Sequence, residues 1–291
     1  MELTNLSVIA KESIEFNAVG AVAYHQPVQA FYGSLLQDFE MLVIIVCERK
    51  DDWCEVRHSI CGEQRYQVMY VSTSYIETGM IQGGCHSLFR YIAEGDILWQ
   101  ADQQIERIRE RVAVFTDQQK EKRLLKEFAC FLYYYVEGKR YLAEGDVVDA
   151  YHNVLESLGH WAKIELIERG IRPEDGVWAQ VRGLNRGVYK LYEELTISTE
   201  TLSQRVELVL LACEFSVMSK MGECTALLLR ILRSRREPWS IEELTMHPEL
   251  QHISVGLPLV IRKLVYRSLV KELPRWKMSS YEGRELCYIV D

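Results

Sequence analysis

The chain has 291 residues, which is enough for two or three domains with separate cores. Hydrophobic residues make up 48% of it and charged residues 26%, so a disordered, collagen-like or disulfide-dominated chain is excluded. The net charge of −8 argues against a protein that wraps nucleic acid along its whole length, because phosphate contacts need surplus lysine and arginine. Residues 229–291, however, hold eleven Lys/Arg and eight Asp/Glu, so the end of the chain is mildly basic.

The eight cysteines form no C-x-x-C pair and no cluster with histidine at zinc spacing. Several lie inside apolar runs, as Cys47 does, which indicates reduced core cysteines. The N-terminus shows no basic region followed by an apolar stretch, and the longest uncharged segment, 16–37, contains Pro27. These features predict a cytoplasmic protein without a membrane span.

The first 115 residues alternate short apolar runs with helical patterns. Strands are predicted at Ala18–Tyr24, Met41–Val46, Tyr66–Val71 and Ile97–Trp99. A helix is predicted from Ser74 to Glu94, ending at Gly95 in the left-handed conformation that closes helices, and another follows Asp102. Because the segment between Arg49 and Tyr66 is too short for a helical crossover, we expect at least one antiparallel strand pair.

From about Thr116 the pattern becomes nearly continuous helix. Four amphipathic helices are indicated, the third spanning roughly Val177 to Glu194 and the fourth beginning near Thr201, and together they predict an antiparallel bundle. The heptapeptides 90–96 and 140–146 are almost identical, and we interpret them as two independent helix ends that use the same glycine stop.

The last 60 residues have the pattern of a winged helix. Ser240 and Glu243 form a capping box that begins a helix, a second helix is predicted near Leu257–Leu269, and a hairpin is predicted at the end. On this element Arg262, Lys263, Arg267 and Lys277 are candidates for DNA contact. Winged helices also serve as protein-binding modules, so both partners stay open.

An acidic pair precedes the second apolar run. Alternation puts Asp38 and Glu40 on one face of an extended chain, roughly 7 Å apart at Cα. Two such carboxylates can share Mg²⁺, which prefers oxygen ligands and leaves room for substrate phosphates. The alternative is a pair of solvated acids at a strand entrance.

These features together resemble a known family. The Gly33-Ser34 pair, the acid-x-acid pair before an apolar strand, the helix ending at Gly95 and the segment 97–102 resemble the nucleotidyltransferase fold of the minimal and aminoglycoside type. With the bundle and the winged helix added, the whole chain resembles the YgxA-like nucleotidyltransferase-like family.

The resemblance implies an α+β fold with three parts. Residues 1–116 would form a mixed-sheet nucleotidyltransferase-like domain, 117–229 an antiparallel, substrate-binding-like helical bundle, and 230–291 a winged helix-turn-helix. It also implies metal-dependent transfer of a nucleotidyl group from an NTP to a hydroxyl. In that reaction Asp38 and Glu40 would hold Mg²⁺ as catalytic residues, while Gly33 and Ser34 would touch the phosphates.

Two departures from the family pattern leave catalysis open. Only three residues separate the Gly-Ser pair from Asp38 instead of about ten, and the strand at 66–71 offers Gln67 where active members have a third carboxylate. The alternative function is a non-catalytic nucleotide-binding or DNA- or protein-binding regulator that acts through the winged helix.

Overall fold

The computed structural model describes residues 16–25, 39, 41–61, 64–83, 86–114, 116–174, 176–253, 256–276 and 284–290. The chain forms two compact units, residues 1–116 and 117–291. Across these described ranges, no helix is long and apolar enough to cross a membrane.

A mixed five-stranded sheet forms the first unit, in the order β3-β4-β2-β1-β5. The strands are β1 (Ala18–His25), β2 (Met41–Cys47), β3 (Cys54–Cys61), β4 (Gln64–Ser72) and β5 (Asp96–Gln100). The three long apolar runs become the central strands β4, β2 and β1, because only central strands bury both faces. The predicted strand at 97–99 is the edge strand β5.

In the chain, the strand β3 connects β2 to β4. β2 and β4 run parallel, with Leu42 beside Gln67, and β3 lies antiparallel to β4 on its far side. The expected antiparallel pairing is therefore present, between β3 and β4 and on both sides of β1. β2 and β4, whose short separation in sequence suggested an antiparallel pair, are themselves parallel to each other.

Three helices pack on one face of this sheet: α1 (Thr73–Gln82), α2 (His86–Glu94) and α3 (Gln104–Ala113). The single helix predicted from Ser74 to Glu94 is interrupted at Gly83, which has a φ of 68°. Leu42, Ile44 and Val46 of β2 form a core with the buried faces of these helices.

The two similar heptapeptides end their helices in different ways. Gly145 has a φ of 88°, as expected for a left-handed stop. The same expectation for Gly95 is wrong, because its φ lies outside the left-handed region. A Cβ at Gly95 would lie 2.5 Å from Val22 Cγ1 and 2.7 Å from the backbone oxygens of Ala23 and Tyr91. Gly95 is therefore required by close packing on β1.

The second unit begins with a helical bundle. Its helices are α4 (Asp117–Glu144), α5 (Val147–Glu168), α6 (Val177–Leu184), α7 (Arg186–Ile197) and α8 (Leu202–Ser219), followed by the short α9 (Met221–Cys224). The predicted apolar stripe of α4, including Phe128 and Leu132, is buried. The predicted third helix is divided at Asn185, whose side chain accepts hydrogen bonds from the Gly187 and Val188 amides and caps α7.

The C-terminal part is a winged helix. It consists of α10 (Ala226–Leu232), β6 (Trp239–Ser240), α11 (Ile241–Met246), a 3₁₀ turn (Gln251–Ile253), α12 (Leu257–Tyr266), β7 (Lys271–Trp276) and β8 (Arg284–Ile289). The small sheet has the order β6-β8-β7, and the predicted capping box of Ser240 and Glu243 is present. The predicted α+β fold is confirmed.

Candidate functional sites

The predicted nucleotide site falls at the entrance of β2. Gly33, Ser34, Asp38 and Glu40 all lie outside the described residues, so their roles stay predictions. Phe39, which separates the two acids in sequence, is described, and its ring centroid lies 4.5 Å from that of His58 on β3. Phe39 therefore contacts the edge strand β3.

The strand β4 beside this entrance carries polar side chains but no acid. Gln67 of β4 stands beside Leu42, and His58 of β3 stands opposite Gln67. Within the part of the chain that the structure describes, no group of three or more His, Cys, Asp or Glu side chains could hold a metal. The described residues in register with the start of β2 thus include an amide, Gln67, and an imidazole, His58.

The acids at the opposite end of β2 have structural partners. Arg49 binds Asp51 through two hydrogen bonds of 2.9 and 2.7 Å. Asp52 Oδ1 accepts hydrogen bonds from the hydroxyls of Ser74 and Thr78 on α1, at 2.6 and 3.0 Å. Asp52 fixes the loop after β2 against α1, while Asp51 is paired with Arg49 within that loop, so both carboxylates are poor candidates for metal binding.

The candidate DNA-binding residues of the winged helix have different environments. Arg262 is exposed but forms an ion pair with Glu272 at 3.2 Å. Lys263 is half-buried, and burial lowers its pKa, while Glu214 on α8 counteracts that effect. Arg267 is exposed at the end of α12, and Lys277 lies outside the described residues.

The winged helix also packs on the bundle. His252 Nε2 lies 2.9 Å from the backbone oxygen of Lys122 on α4. At the start of α12, a Cβ added to Gly256 would stand 3.0 Å from the Ala129 Cβ, so helix and bundle touch there. Within this unit the C-terminal half of α12 is thus more accessible than its first turn.

A buried polar group in the bundle was not predicted from the sequence. Glu127 on α4 is 3% exposed and binds Arg123 at 2.8 Å through one oxygen. Its other oxygen lies 2.6 Å from Nδ1 of His160 on α5. The sequence predicts that His152 and His160 share one face of a helix. Each is interpreted there as a hydrogen-bonded core histidine, a groove lining or a metal ligand. The structure gives His160 a carboxylate partner, while His152 is exposed.

Burial and hydrogen bonding act in opposite directions on Glu127. Burial alone would raise its pKa, but the hydrogen bond with His160 and the charge of Arg123 bring the pKa down to about 2. The charge of Lys163, one turn beyond His160 on α5, acts in the same direction. Glu127 is therefore an ionised carboxylate at neutral pH.

Three family models match the chain in succession. A nucleotidyltransferase-like model matches residues 9–120, a YgxA-like substrate binding domain model matches residues 121–220, and a helix-turn-helix domain model matches residues 226–274. The chain thus has a nucleotidyltransferase-like fold and a C-terminal helix-turn-helix domain. The succession of the three matches confirms the resemblance to the YgxA-like nucleotidyltransferase-like family that was predicted from the sequence.

Individual relatives agree with this assignment. The chain is 29% identical over 237 residues to "Uncharacterized protein YgxA" of Bacillus subtilis (strain 168), a match that covers 81% of this chain and 80% of that protein. It is also similar to the crystal structure of a nucleotidyltransferase-like protein from Exiguobacterium sibiricum 255-15. That similarity has a TM-score of 0.87 at 23% identity and covers 98% of both chains, which establishes a shared fold.

Proposed function

We propose that the first unit binds a nucleoside triphosphate with Mg²⁺ at the entrance of β2 and transfers its nucleotidyl group to a hydroxyl-bearing acceptor. The observation that carries the proposal is the contact of Phe39 with His58, within a domain that matches the nucleotidyltransferase-like model. It supports a position for the acids Asp38 and Glu40 beside Gln67, where β2 and β4 begin and β1 ends.

The donor set at this entrance fits Mg²⁺. Two carboxylates and an amide oxygen are hard ligands of the kind that Mg²⁺ prefers, and few protein ligands leave room for phosphates. The missing third carboxylate predicts weaker metal binding than a three-acid site would give. Bound Mg²⁺ would neutralise charge on the phosphate oxygens during transfer.

In the proposed reaction, the acceptor hydroxyl oxygen forms a bond to the α-phosphorus of the nucleotide. The bond from that phosphorus to the bridging oxygen breaks, pyrophosphate leaves with the electron pair, and the hydroxyl proton passes to solvent. Gly33 and Ser34 would orient the phosphates through backbone N–H groups and the Ser34 hydroxyl.

Thermal unfolding of the full chain tests the proposal. The midpoint is measured with ATP, GTP, CTP and UTP, each with Mg²⁺, Mn²⁺ or EDTA, for the wild type and for Asp38→Ala/Glu40→Ala. A ligand that binds the native state raises the midpoint by mass action, so we expect a metal-dependent rise that the variant loses. Glu106→Ala/Glu110→Ala, which removes two exposed acids of α3, is the charge-matched control and should keep the rise. No rise with any nucleotide would refute nucleotide binding.

Transfer itself needs a separate measurement. If the midpoint rises, pyrophosphate release is followed with a panel of hydroxyl-bearing acceptors. Acceptor-dependent release that the Asp38→Ala/Glu40→Ala variant abolishes would support a transferase. Nucleotide binding without release in any acceptor would instead favour a nucleotide-binding regulator.

A second candidate function is contact of the winged helix with nucleic acid. The helix-turn-helix match and the exposed position of Arg267 favour it. Binding of random duplex DNA to the full chain, followed by fluorescence anisotropy across a salt series, should be strongest at low salt. Arg267→Ala and Lys277→Ala should each weaken binding uniformly and make its salt dependence shallower. No binding at low salt would leave a protein partner as the role of this domain.

A further inference from the structure

His160 is held in one orientation from two sides. An ionised carboxylate only accepts hydrogen bonds, so Nδ1 of His160 carries the proton in its 2.6 Å contact with Glu127. The imidazole also stacks on the Tyr134 ring, with centroids 5.6 Å apart and planes 13° from parallel. Arg123 in turn fixes the carboxylate at 2.8 Å. Ring position and tautomer are thus set by the buried pair Glu127 and Arg123 and by the half-buried Tyr134.

The second ring nitrogen of His160 remains available. The side chain of His160 is 14% exposed, and its hydrogen bonding among the described residues uses Nδ1 alone. When the ring carries a single proton, that proton is on Nδ1, and Nε2 is a hydrogen-bond acceptor. A buried carboxylate that orients a histidine whose far nitrogen is open is an arrangement suited to a ligand that donates a hydrogen bond.

Charge changes sign along the face of α5 that carries His160. Glu156 lies one turn before His160, and Lys163 lies nearly one turn after it, about 6 and 4.5 Å away along the helix axis. Glu156 is close enough to raise the pKa of Tyr134, after the larger effect of burial, so the phenol stays protonated. Lys163 is half-buried and forms no ion pair with the residues that the structure describes.

The facing helix α4 adds further groups. Arg123, Lys126, Cys130 and Tyr134 lie toward His160 and Lys163 from that side, and the charges of Arg123 and Lys163 both act on Lys126. Positive charge is therefore concentrated at the Lys163 end of this face, and the acid Glu156 stands at the other end.

We propose that this face, formed by Tyr134, His160 and Lys163 and here called the His160 face, binds a small phosphorylated molecule that carries a free hydroxyl. The hydroxyl donates a hydrogen bond to Nε2 of His160, and the phosphate lies at Lys163. Glu127 is a positioning residue, because it touches the histidine and not the ligand. The proposal is independent of the nucleotide site at β2 and lies wholly within the second unit.

Nuclear magnetic resonance of the full chain, labelled with ¹⁵N-histidine, tests the site directly. The spectrum reports the tautomer of each imidazole, and His160→Gln assigns the signal. We expect the Nδ1–H tautomer at His160 in the wild type. Glycerol 3-phosphate, ribose 5-phosphate and glucose 6-phosphate are then titrated, with inorganic phosphate and ribose as single-group probes.

The proposal expects a saturable shift of the His160 Nε2 signal with at least one sugar or polyol phosphate, and weaker binding of the two single-group probes. Lys163→Gln should weaken binding by about tenfold or more, because it removes a charged hydrogen-bond donor. Lys190→Gln, at an exposed lysine on α7, is the matched control and should leave binding unchanged. The shift should persist in Asp38→Ala/Glu40→Ala, which separates this site from the nucleotide site.

Two results would overturn the proposal. One is a His160 signal that stays unmoved by every phosphorylated probe up to millimolar concentration. The other is a shift that Lys163→Gln and Lys190→Gln reduce equally, since that would indicate nonspecific attraction. In Glu127→Gln, His160 should lose its Nδ1–H tautomer. If the role of Glu127 were purely structural, the folded variant would bind the ligand with unchanged affinity.

Discussion

The carboxylate of Glu165 on α5 lies 2.5 Å from the ammonium of Lys220, the residue that joins α8 to α9. Glu165 also accepts hydrogen bonds from Arg169 at 2.8 Å, Asn185 at 3.0 Å and Trp161 at 3.1 Å. Because Asn185 caps α7, one buried side chain connects α5, the start of α7 and the end of α8. The bundle is fastened at this point by charge-assisted hydrogen bonds as well as by its apolar core.

Removal of this carboxylate should destabilise the second unit strongly. Glu165→Ala leaves Lys220 without its most buried partner and frees the Asn185 amide, and breaking a buried ion pair costs about 3 kcal/mol or more. Glu168→Ala is the matched control, since Glu168 binds the same lysine at 2.5 Å but is more exposed, at 18% against 4%. Urea denaturation should show a clearly smaller loss for Glu168→Ala. Equal losses would mean that the Lys220 contact, and not the Glu165 network, carries the stability.

Stability should also fall in acid because of two carboxylates. For Glu165, burial would raise the pKa, but hydrogen bonds from Lys220 and its other partners lower it from 4.5 to about 2. The pKa of Glu127 is lowered to about 2 as well. A folded-state pKa below the unfolded value gives stability that is present above about pH 4.5 and is lost as the pH falls toward 2.

Urea midpoints measured between pH 5 and pH 2 should therefore decrease for the wild type. The decrease should be shallower in Glu165→Gln, because the neutral amide no longer gains a proton on unfolding. An unchanged slope in Glu165→Gln would assign the acid sensitivity to other groups. His160→Gln, which removes a partner of Glu127, should also reduce the slope.

The central strands and the helix stripes were predictable because their residues are buried by the elements that carry them. β3 was missed, since its polar alternation, with Glu55, Arg57 and His58, is typical of an edge strand and gives a weak hydrophobic signal. The contact of Glu127 with His160 was not predictable either. It joins residues 33 positions apart and depends on how α4 and α5 align, which sequence periodicity does not determine.

Asparagine should be tolerated better than alanine at Gly145 and worse than alanine at Gly95, although the two sequence contexts are nearly the same. Gly145 has a φ of 88° and open space around it, so Gly145→Ala should cost about 1 to 2 kcal/mol from backbone strain. Gly145→Asn should cost less than Gly145→Ala, because asparagine adopts the left-handed conformation more readily. Gly95 is limited by contacts, so Gly95→Ala should cost about 1 to 3 kcal/mol and Gly95→Asn more. Thermal unfolding of the four variants checks this, and the same order at both positions would contradict it.

Ser240 should control the stability of the winged helix. Its hydroxyl oxygen accepts a hydrogen bond from the Glu243 amide at 3.1 Å, while Glu243 Oε2 accepts one from the Ser240 amide at 2.7 Å. The side chain is buried, so Ser240→Ala removes an N-cap that water cannot replace, at a cost of about 1 kcal/mol. Hydrogen exchange of the α11 amides should accelerate, while exchange in the first unit stays unchanged.

Two further variants separate capping from packing at this position. Ser240→Thr keeps the hydroxyl and should restore most of the protection of α11. Ser203→Ala, which removes a hydroxyl that bonds Glu207 in an exposed setting on α8, should change stability by less than about 0.5 kcal/mol. If Ser240→Thr proves as unstable as Ser240→Ala, the loss comes from the tight packing of Ser240, within β6, against its partner Cys287 on β8.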